Sequence, residues 1–136
     1  MLERTLVLIK PDAVFSGWTD DIIKRYVDAG LTLVRHGMIL FTHEQARAFY
    51  AEHEGKPFMN GLVLGMGSGP SVALVLEGED AIARVRKMNG ATDPYKADVG
   101  TIRRDFLSAG GVFNTVHGSA NEKDAGTELW FIANWL

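Results

Sequence analysis

The chain has 136 residues, a formal net charge of −3 and no cysteine. This length fits a single domain over residues 1–136 that can bury a hydrophobic core without covalent staples. The charge argues against a partner that is nucleic acid, and the lack of cysteine excludes disulfides and thiolate metal sites. An apolar run near the N-terminus is far shorter than the roughly 18 residues of a membrane span, so we expect a cytoplasmic protein with no membrane partner.

The first predicted element is a strand over residues 4–10, an almost continuous apolar run of the kind that is buried on both faces of a sheet. A helix over 20–29 follows, with Thr19 as its predicted N-cap and Gly30 as its end. Residues 31–41 then predict a second strand. The apolar positions that define the helix are Ile22, Ile23, Tyr26 and Val27.

Thr42 and Gln45 are spaced as a capping box, which predicts the start of a helix with Ala46, Phe49 and Tyr50 on its apolar side. A shorter helix is expected after Asn60. The glycine-rich segment 65–69 precedes Pro70 and a strand rather than a helix, so we reject it as a phosphate-binding loop. That strand, over 71–76, is the second one predicted to lie at the centre of the sheet.

The last part of the chain predicts a helix that ends near Gly90, an irregular stretch over 91–100, a short strand over 114–117 and a helix over 122–131. The order β-α-β-α-β-α-β-α favours an α/β (α+β) sandwich of the ferredoxin-like kind. We therefore expect a four-stranded antiparallel sheet with helices packed on one of its faces.

His117 is the strongest candidate for chemistry, because it is followed by Gly118 and Ser119 and, eleven residues further on, by Glu128. Near neutral pH most imidazole is unprotonated, so one ring nitrogen can attack while a partner fixes the other. Glu128 is the expected partner, directly or through Ser119. The alternative is a histidine that ends a strand before a turn.

Arginine side chains are the expected binders of anionic groups, since a guanidinium matches phosphate oxygens in geometry and charge. Arg86 and Arg103 lie in two basic clusters and are the candidate clamps. The alternative is a pair of solvated helix faces, which explains most such clusters.

Several separated segments, in the same order, resemble the nucleoside diphosphate kinase family over the whole chain. These segments are Lys10-Pro11-Asp12, Tyr50-Ala51-Glu52-His53, Ser68-Gly69-Pro70, Gly100-Thr101-Ile102-Arg103 and the run around His117. The resemblance implies ping-pong transfer of the γ-phosphoryl group from ATP or another nucleoside triphosphate to a nucleoside diphosphate through a phosphohistidine on His117. It also implies Mg²⁺ held mainly by the nucleotide phosphates, low base selectivity and a dimer-based tetramer or hexamer.

The resemblance further implies roles for individual residues. Lys10 would contact the transferring phosphate and the ribose, Tyr50 would support His117, and Asn114 would hold the sugar. The remaining implied contacts are Phe58 to the base, and Arg86, Thr92 and Arg103 to the phosphates. Taken singly, Lys10 could simply end a strand, Arg86 could be solvated, and Tyr50 and Phe58 could be core residues.

Three departures from the family pattern follow or precede the nucleophile. Ala120 and Asn121 replace the usual aspartate and serine, and Asn121 is expected to cap the last helix. Arg104 stands where a glycine is usual. The 106–113 stretch is one residue longer than in common members, which leaves open whether Val112 or Phe113 faces the base. A ferredoxin-like nucleotide-binding or regulatory module without catalysis is the alternative.

Overall fold

A computed structural model describes residues 1–111 and 113–136 of the chain. Four strands form one antiparallel sheet in the order β2-β3-β1-β4. The strands are β1 (Leu2–Ile9), β2 (Thr32–Ile39), β3 (Ser71–Glu79) and β4 (Val116–Gly118). The two strands predicted to be central, β1 and β3, are confirmed as the inner pair.

Seven α-helices lie among the described residues. They are α1 (Pro11–Phe15), α2 (Thr19–Asp28), α3 (His43–Phe49), α4 (Met59–Met66), α5 (Ala81–Asn89), α6 (Ile102–Asp105) and α7 (Glu122–Trp135). A 3-10 turn, Ala51–His53, follows α3. Within these residues no helix is both long and apolar enough to cross a bilayer.

Helices cover both faces of the sheet, so the expectation of one covered face is wrong. Successive side chains of a strand point to opposite faces, and from Thr5 to Ile9 of β1 both sets are fully buried. Val7 and Ile9 belong to a core with Ile22 of α2 and Val85 of α5. The opposite face, which carries Leu6 and Leu8, packs on residues of α3, α4 and α7. The α+β, ferredoxin-like architecture itself is confirmed.

The first residues of two helices test the predicted N-caps. Thr42 and Gln45 form the reciprocal capping box, as predicted. Thr19 is not an N-cap, because it is already the first residue of α2 and the cap position is Trp18, whose carbonyl accepts from the Ile22 amide. The ring of Trp18 packs on Phe106, so a core contact rather than a capping hydrogen bond fixes this helix start.

Candidate functional site

A cavity of about 560 Å³ opens beside β4, and it gathers most of the residues singled out in the sequence. Segments distant along the chain build its walls: the end of β1, the α3–α4 region, α5, α6, β4 and the middle of α7. Ser119 does not line it and is fully buried. The predicted residues that line the cavity are Lys10, Tyr50, Phe58, Arg86, Thr92, Arg103, Asn114, His117 and Glu128.

His117 lies in the middle of β4, opposite Leu8 of β1, which places it on the face covered by α3, α4 and α7. Its Nε2 is 2.8 Å from Oε1 of Glu128. A carboxylate oxygen can only accept, so this contact places a hydrogen on Nε2 and leaves Nδ1 with a lone pair. The ring is a fifth exposed and borders the cavity, so Nδ1 is available to a reactant.

Glu128 receives two hydrogen bonds on the same oxygen. Ser119 Oγ donates to Oε1 at 2.8 Å, in addition to the contact with His117. Ser119 Oγ in turn accepts from the amide of Leu6 on β1. Both predicted routes from Glu128 to the strand of His117 are therefore present, the direct one and the one through Ser119.

A glycine is required after His117 because α5 approaches β4 closely there. A Cβ on Gly118 would lie 2.8 Å from Asn89 Nδ2 and 3.3 Å from Val85 Cγ1. Asn121, which departs from the family pattern, is compatible with the fold. Its Oδ1 accepts from the Asp124 amide and caps α7 as expected. Ala120 lines the cavity.

Lys10 and Asn114 form a polar pair on one wall of the cavity. Lys10 Nζ donates to Asn114 Oδ1 at 2.9 Å, and Asn114 Nδ2 donates to the carbonyl of Thr92. Burial lowers the pKa of Lys10 from 10.5 to about 8, with Asp12 opposing the shift and Arg103 adding to it. Lys10 is thus a buried side chain on the cavity wall rather than a residue that ends a strand at water.

The two arginines are held differently. Arg103 donates from Nη1 to the carbonyl of Gly90 and from Nη2 to that of Val116, both at 2.8 Å, while its buried Nε has no partner among the described residues. Burial lowers the pKa of Arg103. Arg86 is exposed and reaches the cavity from α5. The cavity therefore has one anchored and one solvated guanidinium.

Aromatic rings also line the cavity. The rings of Phe49 and Tyr50 lie edge-on to His117, at 5.3 and 6.1 Å between centroids. The hydroxyl of Tyr50 is buried without a partner in the described part of the chain, and burial, with the charge of Glu128, raises the pKa of Tyr50. Phe58 is half exposed at the rim, with His53 against it.

Sequence reasoning missed several residues that line the cavity. Phe49 was assigned only to the core, and His53 and Leu62 were given no role. His53 was within reach of motif reading, because it ends the Tyr50-Ala51-Glu52-His53 segment. Phe113 lines a different cavity, beside Asp12, and Val112 lies outside the described residues, so the question of the base-facing wall is answered only for Phe113.

The glycine-rich segment 65–69 ends α4 and leads into β3, and it does not border the cavity. Among residues 1–111 and 113–136 no group of three or more histidine or acidic side chains is placed to hold a metal ion. Positive charge on Lys10, Arg86 and Arg103, next to a nucleophilic imidazole, instead suits a ligand that carries several negative charges.

Known proteins that resemble this chain agree with that chemistry. The family described as nucleoside diphosphate kinase matches residues 3–134. The chain is 47% identical to nucleoside diphosphate kinase 1 of Protochlamydia amoebophila over 129 residues, which are 95% of this chain and 91% of that protein. It is 48% identical to the nucleoside diphosphate kinase of Anaeromyxobacter sp. (strain Fw109-5), covering 93% and 86% of the two chains.

Solved structures give the same result for the fold. The nucleoside diphosphate kinase of Aquifex aeolicus superposes with a TM-score of 0.94 at 41% identity, covering 97% of this chain and 95% of that one. A halophilic nucleoside diphosphate kinase from Halobacterium salinarum, in complex with CDP, superposes with a TM-score of 0.91 at 41% identity and covers 96% and 87%.

Proposed function

The chain belongs to the nucleoside diphosphate kinase family and is a phosphotransferase of that class, and we propose that it works by a ping-pong mechanism through a phosphohistidine on His117. The observation that carries the proposal is the contact of 2.8 Å between His117 Nε2 and Glu128, because it leaves Nδ1 as the free nucleophile at the cavity.

In the first half-reaction Nδ1 attacks the γ-phosphorus of a nucleoside triphosphate. The N–P bond forms as the bond from phosphorus to the β-phosphate oxygen breaks, and the nucleoside diphosphate leaves with that electron pair. In the second half-reaction the terminal oxygen of another nucleoside diphosphate attacks the phosphohistidine, and the imidazole recovers its lone pair. Glu128 stabilises the positive charge that develops on the ring in both steps.

Charge neutralisation around the phosphates is the second requirement of phosphoryl transfer. Lys10, Arg86 and Arg103 supply cations, and the unpartnered hydroxyl of Tyr50 supplies a donor, all on the walls of one cavity. We propose that Thr92 adds a further phosphate contact and that Asn114 and Lys10 hold the sugar.

Magnesium fits this site as a companion of the nucleotide. Of the carboxylates that line the cavity, Glu128 is occupied by His117 and Ser119, and Glu52 lies at the rim. Mg²⁺ prefers oxygen ligands and commonly takes them from substrate phosphates. When bound, the ion would neutralise negative charge on the phosphate oxygens.

We expect low base selectivity, because Phe58 and Leu62 give the cavity apolar surface, which accepts the face of any base. ATP and other nucleoside di- and triphosphates are thus the proposed partners. A homo-oligomer, a dimer-based tetramer or hexamer, is also proposed, since the edge strand β2 exposes Val34 and Met38.

The decisive experiment is labelling with γ-labelled ATP. The protein should take up an acid-labile phosphate, and the His117→Ala variant should not, whereas a His36→Ala variant of an exposed histidine should label normally. Label retained in His117→Ala would overturn the assignment of the nucleophile. Incubation with ATP, GDP and Mg²⁺ should yield GTP, and no GTP would favour the non-catalytic module. Because Asn121 caps α7 and the His117–Glu128 pair is intact, nothing in the site favours that alternative.

A further inference from the structure

Thr115 adopts a backbone conformation that a β-branched residue rarely takes. Its φ is +78°, in the left-handed region, and the residue is fully buried between Asn114 and β4. A threonine in this region is a conformational outlier that persists only where its surroundings hold it. The position is two residues before His117.

All the polar groups of Thr115 are held. Its amide donates to Asp12 Oδ2 at 3.1 Å, its carbonyl accepts from the Lys10 amide, and its hydroxyl donates to the carbonyl of Phe106. Ser108 Oγ lies 3.0 Å from the same hydroxyl and donates to Asp12 Oδ2 at 2.6 Å. Asp12 is thus the acceptor that joins α1, the 106–108 segment and Thr115.

Thr115, with its positive φ, lies between two parts of the proposed site. On one side lies Asn114, whose side chain contacts Lys10 and Thr92. On the other side β4 begins, where His117 is fixed independently by its pairing with β1 and by Glu128. If Thr115 relaxed to a negative φ, the peptide joining it to Asn114 would rotate and the amide of Asn114 would turn away from Lys10.

We propose that Asp12 is a positioning residue that holds Thr115 in the left-handed conformation and so aligns the Asn114–Lys10 pair with His117 for a nucleotide substrate. This inference rests on the proposed function, because it concerns the fit of a nucleotide to that site. Asp12 does not line the cavity, so it acts through Thr115.

A different explanation for any effect of Asp12 is its charge. Burial lowers the pKa of Lys10, and the carboxylate of Asp12 partly offsets this. Asparagine at position 12 separates the two explanations, because it keeps an oxygen that accepts from Thr115 and Ser108 but carries no charge.

The test compares two phosphoryl donors in single-turnover labelling of His117. Besides ATP we would use phosphoramidate, which carries no nucleoside and whose phosphoryl group passes to the imidazole as ammonia leaves. Asp12→Ala should slow labelling by ATP about tenfold or more and leave labelling by phosphoramidate within about twofold of the parent rate. An exposed-residue control, Asp21→Ala, should change neither rate.

Two further variants make the result specific. Asp12→Asn should keep most of the ATP rate. In a Thr115→Gly background the loss caused by Asp12→Ala should shrink, because glycine adopts positive φ without help. Equal losses with both donors, an Asp12→Asn variant as slow as Asp12→Ala, or an undiminished loss in the glycine background would each overturn the inference. If the parent protein fails to label with ATP, the proposed function fails instead.

Discussion

Replacing Glu128 with alanine should slow phosphorylation of His117 without emptying the nucleotide site. Oε1 accepts from His117 Nε2 and Ser119 Oγ, each at 2.8 Å, and the side chain is only 10% exposed. A hydrogen bond to a charged group contributes about 1.5–3 kcal/mol, which corresponds to roughly 10- to 150-fold in rate when it is the contact that steadies the attacking ring. We expect a loss in that range.

The assay is the single-turnover rate of labelling by γ-labelled ATP, with the affinity for ADP measured by calorimetry. Ser119→Ala should lose only a few-fold, because it leaves the direct contact of Glu128 with His117 in place. Glu122→Ala, which removes an exposed carboxylate of the same helix, serves as the control. A Glu128→Ala rate within about twofold of the parent, or a loss explained wholly by weaker ADP binding, would refute the reasoning.

Three more outcomes follow from the site. Because burial lowers the pKa of Lys10 to about 8, the ammonium loses its proton as the pH rises through that value, so kcat/KM for ATP should fall above about pH 8. This fall should be absent in Lys10→Arg, and a parent profile flat to high pH contradicts it. Gly118→Ala should lower the free energy of unfolding by about 1–3 kcal/mol in denaturant, since its Cβ meets Asn89, whereas Gly126→Ala, with open space around it, should raise it by about 0.5–1 kcal/mol. Tyr50→Phe removes an unpartnered buried hydroxyl, so its melting temperature should not fall while its KM for ATP rises; a lower melting temperature with unchanged KM argues against a ligand for that hydroxyl.

The sheet could be predicted from sequence because its central strands are apolar on both sides. The run of Leu6, Val7, Leu8 and Ile9 buries every side chain, a pattern that itself requires helices on both faces. Our expectation of one covered face followed the usual ferredoxin-like arrangement instead of this run. The apolar run itself indicated that both faces of the sheet are covered.

Short helices and helix starts were harder to predict. The helices α1 and α6 have five and four residues, too short for apolar periodicity, although Pro11 at the first turn of α1 was a usable signal. Thr19 was predicted as an N-cap from its residue type, but the packing of Trp18 on Phe106 decides where α2 begins. Such tertiary contacts are invisible in a local pattern.

Some residues of the candidate site could be predicted from sequence and others could not. His117 was found from the chemistry of its own segment, whereas Lys10 was found only through the family resemblance, since taken alone it could have ended a strand at water. Phe49 and Leu62 border the cavity only because α3 and α4 pack on the face that carries His117, and nothing in their own spacing distinguishes them from core. The left-handed Thr115 gives no local sign either, since threonine is not a residue that favours it.

Arg103 has a consequence for how such an enzyme could diversify. Its guanidinium ties the end of α5, at Gly90, to β4, at Val116, while it also borders the cavity. We expect any substitution there to loosen β4 as well as change the charge beside the cavity. Changes that adjust the charge of the cavity and spare the strand of His117 are therefore expected at Arg86, an exposed side chain that donates no hydrogen bond within the described residues.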